Sequence, residues 1–71
     1  MTTDTLGDAF PREIERVKQI RDDLRNPLLR GAGELAARLA DLDIKMAENA
    51  WREMDTVAMI RLYPKLKEWT S

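Results

Sequence analysis

The sequence contains neither cysteine nor histidine. That excludes a disulfide framework, a zinc cluster, a thiol nucleophile and any imidazole that titrates near neutrality. Serine occurs once, as the last residue, and the threonines sit near the chain ends or at a helix start. Nucleophilic catalysis therefore has almost nothing to work with, and no glycine-rich phosphate loop follows a strand. A charge excess of one sign is also missing: twelve Lys and Arg stand against thirteen Asp and Glu, net −1. Such a balance gives no global pull toward nucleic acid or an anionic membrane. No apolar run approaches the ~20 residues of a membrane span. Met1–Thr5 has neither the basic nor the apolar stretch of a signal peptide, so cytoplasm is the expected address. No enzyme, cofactor, metal or small-molecule substrate is implied.

What is present is a chain of 71 residues, 44% apolar and 35% charged, which fits one small globular domain. A domain of this size buries roughly 60% of its unfolded surface, and its core supplies about 3–5 kcal/mol. Self-association, in the simplest case a homodimer, is therefore expected before any motif is considered.

Hydrophobic periodicity predicts an all-α fold of three helices: two antiparallel hairpins that share a long central helix, over residues 8–71, after a flexible 1–7. The first helix opens at Asp8 as N-cap, with Pro11 in its first turn. Phe10, Ile14, Val17, Ile20 and Leu24 form one stripe, and Asn26-Pro27 ends it. The second helix is expected from about Leu28 to Glu53, roughly 39 Å long, unless Gly31 and Gly33 delay its start to about Ala32. Its main stripe reads Leu28, Ala32, Leu35, Leu39, Leu42, Met46 and Asn49. A flanking row reads Leu29, Ala36, Ala40, Ala47, Ala50 and Met54, widened by Ile44 and Trp51. Asp55 caps the third helix, whose stripe is Met59, Leu62, Leu66 and Trp69, with Ile60 and Tyr63 beside it. Pro64 lies inside it and should kink or break it near Tyr63. Outer helices of about 15 residues cannot cover the whole of the central one, and a second copy of the chain would close the gap.

Several constellations invite a functional reading. Leu42, Met46, Trp51, Met54, Met59, Tyr63 and Trp69 gather toward the second hairpin, a composition shared by interface cores and ordinary cores. They are the candidate interface. The small residues Gly31, Gly33, Ala36, Ala37 and Ala40 allow close backbone approach, either as a dimer seam or as a snug crossing with the first helix. Lys18, Arg21 and Arg25 form a basic ridge that could track phosphates. Many opposite charges, however, stand three or four residues apart, as on a solvated helix face. Gly33–Leu39 resembles the first helix of a helix-turn-helix, but no helix breaker follows near Ala40-Asp41. Asp41, Asp43 and Glu48 lack the spacing and central glycine of a calcium loop. Asp43, in the flanking row, should point to water or find a base such as Lys45 or Arg16.

Phe10-Pro11-Arg12-Glu13-Ile14 with Arg16-Val17, and Asp55, Ala58-Met59-Ile60-Arg61, Tyr63 and Leu66-Lys67 at the other end, carry a resemblance. Over residues 8–69 the chain resembles small uncharacterised prophage-associated bacterial proteins, which share a Gly/Ala/Pro-rich approach to a long helix, echoed here by Pro27 and Gly31-Ala32-Gly33. Met54 stands where those proteins usually have glycine, and Pro64 replaces a helix former. The resemblance implies a phage-related setting and no activity, and carries no functional residues across. The expected function is that of a non-enzymatic, self-associating helical protein that binds another protein. The alternative is a small nucleic-acid-binding regulator of helix-turn-helix type using Lys18, Arg21 and Arg25.

Overall fold

A computed structural model describes residues 5–70; of the stretch 1–7 expected to be flexible, 1–4 lie outside them, while Thr5 caps the first helix and Leu6 and Gly7 open it. Three α-helices follow in order: α1 (Leu6–Leu24), α2 (Glu34–Arg52) and α3 (Thr56–Glu68), with a single 3-10 turn at Pro27–Leu29. Each helix packs on the other two, and no strand occurs among the described residues. The all-α, three-helix expectation holds.

Helix α1 starts earlier than its sequence suggests. Thr5, not Asp8, is the N-cap: its hydroxyl accepts from the Asp8 N–H at 3.2 Å and donates to the Asp8 carboxylate at 3.0 Å. Asp8 becomes the third helical residue, where its charge suits the positive end of the dipole. Leu6 packs against the core, so burial favours the extra turn. Pro11 consequently lies inside the helix, not in its first turn.

Helix α2, in contrast, starts later. Asn26 accepts from the Leu28 N–H at 2.9 Å and sets up the 3-10 turn. Arg30 (φ 52°) and Gly31 (φ 83°) then adopt left-handed backbone that no helix continues. Gly33 lies so close to the end of α1 that a Cβ there would stand 2.3 Å from the Leu24 carbonyl oxygen. As a result α1 and α2 are both 19 residues long, and α3 has 13. The central helix does not outrun α1, so unequal length is not what leaves apolar surface uncovered.

The core settles where that surface comes from. Phe10, Ile14 and Val17 of α1 meet Ala40, Ile44, Ala47 and Ala50 of α2 and Met59, Leu62 and Leu66 of α3. The alanine row of α2 is therefore inside, and the leucine row expected there is outside. Packing distance explains the choice. Against the bulky side chains of α1, alanine lets the helix axes approach closely, whereas leucine on both sides would force them apart. The small residues Gly33, Ala37 and Ala40 thus serve the crossing with α1, all three being buried within the chain.

The end of α2 is a left-handed cap: Asp55 N–H donates to the Ala50 carbonyl at 2.9 Å and Met54 N–H to the Trp51 carbonyl at 3.2 Å, with Met54 at φ 53°. Asp55 caps α3 as expected, accepting from the Ala58 N–H at 3.2 Å. Pro64 does not interrupt α3. It sits on the exposed side of the helix, as does Ile60, the residue whose carbonyl it deprives of a donor.

The far end of α3 is tied to both other helices. The Arg16 guanidinium donates to the Leu66 carbonyl at 2.7 Å, which also accepts from the Trp69 N–H at 3.2 Å, and to the Trp69 carbonyl at 2.5 Å, just past the helix end. The Trp69 indole N–H donates to Asp43 at 2.9 Å, which gives that half-buried carboxylate its partner: neither Lys45 nor Arg16, and not water alone. Glu13 joins Arg16 at 2.5 Å and Lys67 at 3.6 Å. Burial pushes the Glu13 pKa up, but the two cations outweigh it and hold the carboxyl below its usual range.

Candidate functional site

The outward side of α2 carries Leu35, Leu39, Leu42 and Met46, which are 72%, 50%, 58% and 44% exposed. Their spacing of four, three and four residues places them on one stripe, roughly 17 Å long. Leucine is a strong helix former and tolerable singly on a surface; three leucines and a methionine in a continuous row are a different matter. Beside the stripe runs a groove of about 540 Å³ between α2 and α3, lined by Leu39, Leu42, Asp43, Met46, Lys65 and Trp69 among others. Met46 also lines the next recess along the same pair of helices, of about 370 Å³, with Ala58, Arg61 and Leu62.

Charge is sorted around α2. Its acids Glu34, Asp41 and Glu48, seven residues apart, turn toward α1 and meet the bases of that helix in antiparallel order. Arg25 lies 3.6 Å from Glu34 and 2.7 Å from Asp41; Arg21 lies 3.0 Å from Asp41; Lys18 lies 3.0 Å from Glu48. Arg21, then Arg25, hold the Asp41 carboxyl below its usual range. Glu48, reinforced by Glu15, raises the Lys18 pKa despite the opposing effect of burial. The bases of α2 make the neighbouring row: Arg38, Lys45 and Arg52, again seven apart, lie between those acids and the exposed stripe, Lys45 beside Asp41, Leu42 and Glu48 and Arg52 beside Glu48 and Trp51. Arg38 shares Glu34 at 3.3 Å and Arg52 bonds the Asn49 side chain at 3.3 Å. Lys45 has no carboxylate partner among the described residues, and neither do Arg61 and Lys65 across the groove on α3.

The proposed interface residues divide. Leu42, Met46 and Trp69 come together at the α2–α3 groove. Trp51 and Met54 lie in a separate recess with Pro11, Ile14 and Lys18, and the Trp51 ring stacks on Phe10 with centroids 6.4 Å apart. Tyr63 faces α1 beside Glu13 and Lys67, and the Lys67 ammonium lies 5.5 Å from its ring centroid. Met59 is not a surface residue at all: it is buried among the α1 and α2 side chains because it stands on the inner stripe of α3. Leu35 and Leu39 belong to the exposed stripe as well; the sequence puts them on the main apolar stripe of the second helix but not among the candidate interface residues. The seven-residue spacing of Arg38, Lys45 and Arg52 was the signal that this side faces water.

Lys18, Arg21 and Arg25 are spent on acids of α2 and on Glu15 and Asp22 of their own helix, and do not form a free basic ridge. Gly33–Leu39 and Ile44 lie on one continuous rise into α2 with no turn at Ala40-Asp41, so the helix-turn-helix likeness does not extend to the backbone. Among the described residues no group of three or more acidic side chains is placed to hold a metal ion, and no helix is long and apolar enough to cross a membrane. The chain matches no family model, no curated protein and no solved structure.

Proposed function

We propose that this protein is a non-catalytic helical interaction module whose working surface is the Leu35–Leu39–Leu42–Met46 stripe with the adjoining α2–α3 groove. The observation that carries the reading is that the most apolar row of α2 lies outside while a row of alanines fills the core. Covering that row removes apolar surface from water, at about 25 cal/mol per Å². A second copy of the chain is the first surface available to cover it, which makes self-association the simplest behaviour of the isolated protein. The basic edge of the stripe opposes this, so association is weak and strengthens as salt screens the repulsion. The resemblance to prophage-associated proteins supports a phage-related setting.

Sedimentation equilibrium at low and high salt tests the reading. The wild-type mass is expected to rise above that of the monomer at high protein concentration, more so in high salt. Leu39→Gln/Leu42→Gln is expected to stay monomeric while keeping its helical circular dichroism. A folded double variant that associates as the wild type does would remove the stripe from the function.

A further inference from the structure

We infer that Glu53, Met54 and Asp55 form a hinge at which α2 and α3 straighten into one helix, so that α3 leaves its own core and completes that of a second copy. The inference does not rest on the leucine stripe. Its occupant is α3 itself, seated on the surface it already fits.

Three features of the link carry it. Met54 holds a left-handed φ of 53° without being glycine, a conformation that its Cβ makes costly. The link is short and contains neither proline nor glycine, and Glu53 and Met54 are good helix formers. The connection between α1 and α2 differs on both counts: it is longer and holds Pro27, Gly31 and Gly33. Finally, straightening costs no backbone hydrogen bond. In the closed turn Met54 N–H donates to the Trp51 carbonyl and Asp55 N–H to that of Ala50. In a continuous helix the two exchange acceptors, and the N–H groups of Thr56 and Val57 gain carbonyls four residues back.

Helical phase agrees. Ile44, Ala47, Trp51, Ala58 and Leu62 stand three, four, seven and four residues apart, and all five belong to the core or pack against it. In one helix from Glu34 to Glu68, roughly 52 Å long, they share one side. Two such helices laid antiparallel pair each α2 with the α3 of the other copy, as α2 and α3 pair within the closed subunit. The Trp69–Asp43 bond and the Arg16 bonds to the end of α3 re-form between chains. Only the link changes: each dimer releases two strained turns, against the freedom lost on association.

Closure within one chain competes at an effective concentration of roughly millimolar or more, so the exchange is read at millimolar chain. Isotope-labelled and unlabelled chains are refolded together. Isotope-filtered nuclear magnetic resonance is expected to show contacts across chains between the methyls of Ala50 and Leu62, which line one recess. Met54→Gly relieves the closed turn and weakens the open helix, about tenfold per hinge, so dimer association should fall about hundredfold. Met54→Ala keeps the Cβ and should match or exceed the wild type. Asp55→Ala removes a cap that exists only in the closed form and should raise association, by about fivefold per hinge. Leu39→Gln/Leu42→Gln is expected to keep the contacts across chains. A wild-type or Asp55→Ala chain that stays monomeric at millimolar concentration overturns the exchange, as does a dimer without those contacts or one that Met54→Gly leaves unchanged. If the dimer disappears in Leu39→Gln/Leu42→Gln, the copies associate through the stripe and the exchange falls.

Discussion

Exchanging roles between the two rows of α2 is the sharpest check on everything built from it. Leu42 is 58% exposed, so less than half of its side chain is available to lose. Full burial of leucine is worth about 1.5–3 kcal/mol, and glutamine keeps two of the methylenes. Leu42→Gln should therefore cost the isolated subunit about 0.5 kcal/mol. Ala47 is fully buried against the large side chains of α1 and α3. Ala47→Leu adds three carbons to a seam that has no room for them, at about 1–3 kcal/mol. In a domain with about 3–5 kcal/mol in all, that brings the chain close to unfolding at room temperature. Urea titration followed by far-ultraviolet circular dichroism, at a few micromolar so that association does not contribute, reads both. The expected order is wild type and Leu42→Gln close together, with Ala47→Leu well below. Were the leucine row inside, Leu42→Gln would bury an amide without a partner and become the costlier change. A lower midpoint for Leu42→Gln than for Ala47→Leu would refute the assignment of the two faces.

Three further outcomes follow from local geometry. Met54→Gly should raise the urea midpoint with an unchanged slope, gaining about 0.5 kcal/mol, because relief of the left-handed strain exceeds the added freedom of the unfolded chain; Met54→Ala, which keeps the Cβ, should not. The folded pKa of Glu13 lies below its ordinary 4.5, so its stabilising effect is full above that pH and is lost as pH falls through the folded value. Glu13→Gln should accordingly be less stable than the wild type at neutral pH, with the difference closing on acidification in parallel denaturant titrations. Arg16→Met removes both donors from the end of α3; with the guanidinium partly exposed, the expected cost is about 1 kcal/mol. In a Trp51→Phe background, Trp69 emission should shift to the red before the helical signal is lost.

The stripe of α1 was legible because Phe10, Ile14, Val17 and Ile20 are the one apolar row on that helix. Helix α2 has two rows, and counting carbon atoms selects the wrong one. Which row is buried depends on what stands opposite, and bulky α1 side chains select the smaller partner. The charges held the answer: Glu34, Asp41 and Glu48 share the side of Ala37 and Ile44 and match Arg25, Arg21 and Lys18 in antiparallel order. The Thr5–Asp8 pair was likewise a readable capping motif, three residues apart. Other features could not be read. Arg30 and Met54 adopt positive φ without the glycine that would announce it, and Gly33 is required by the Leu24 carbonyl, a contact that exists only once the chain has turned back. Within the candidate interface, Leu42, Met46 and Trp69 converge, whereas Met59 was misplaced because an inner and an outer methionine look alike in a sequence.

The alanine seam between α1 and α2 divides the central helix into two sides with different freedom to vary. Toward α1, any gain in bulk wedges the frame apart, so that side resists drift. Toward solvent, leucine, methionine and the bordering bases can be respelled without touching what keeps the chain folded. New binding preferences can therefore arise by substitution alone, on an architecture that stays as it is.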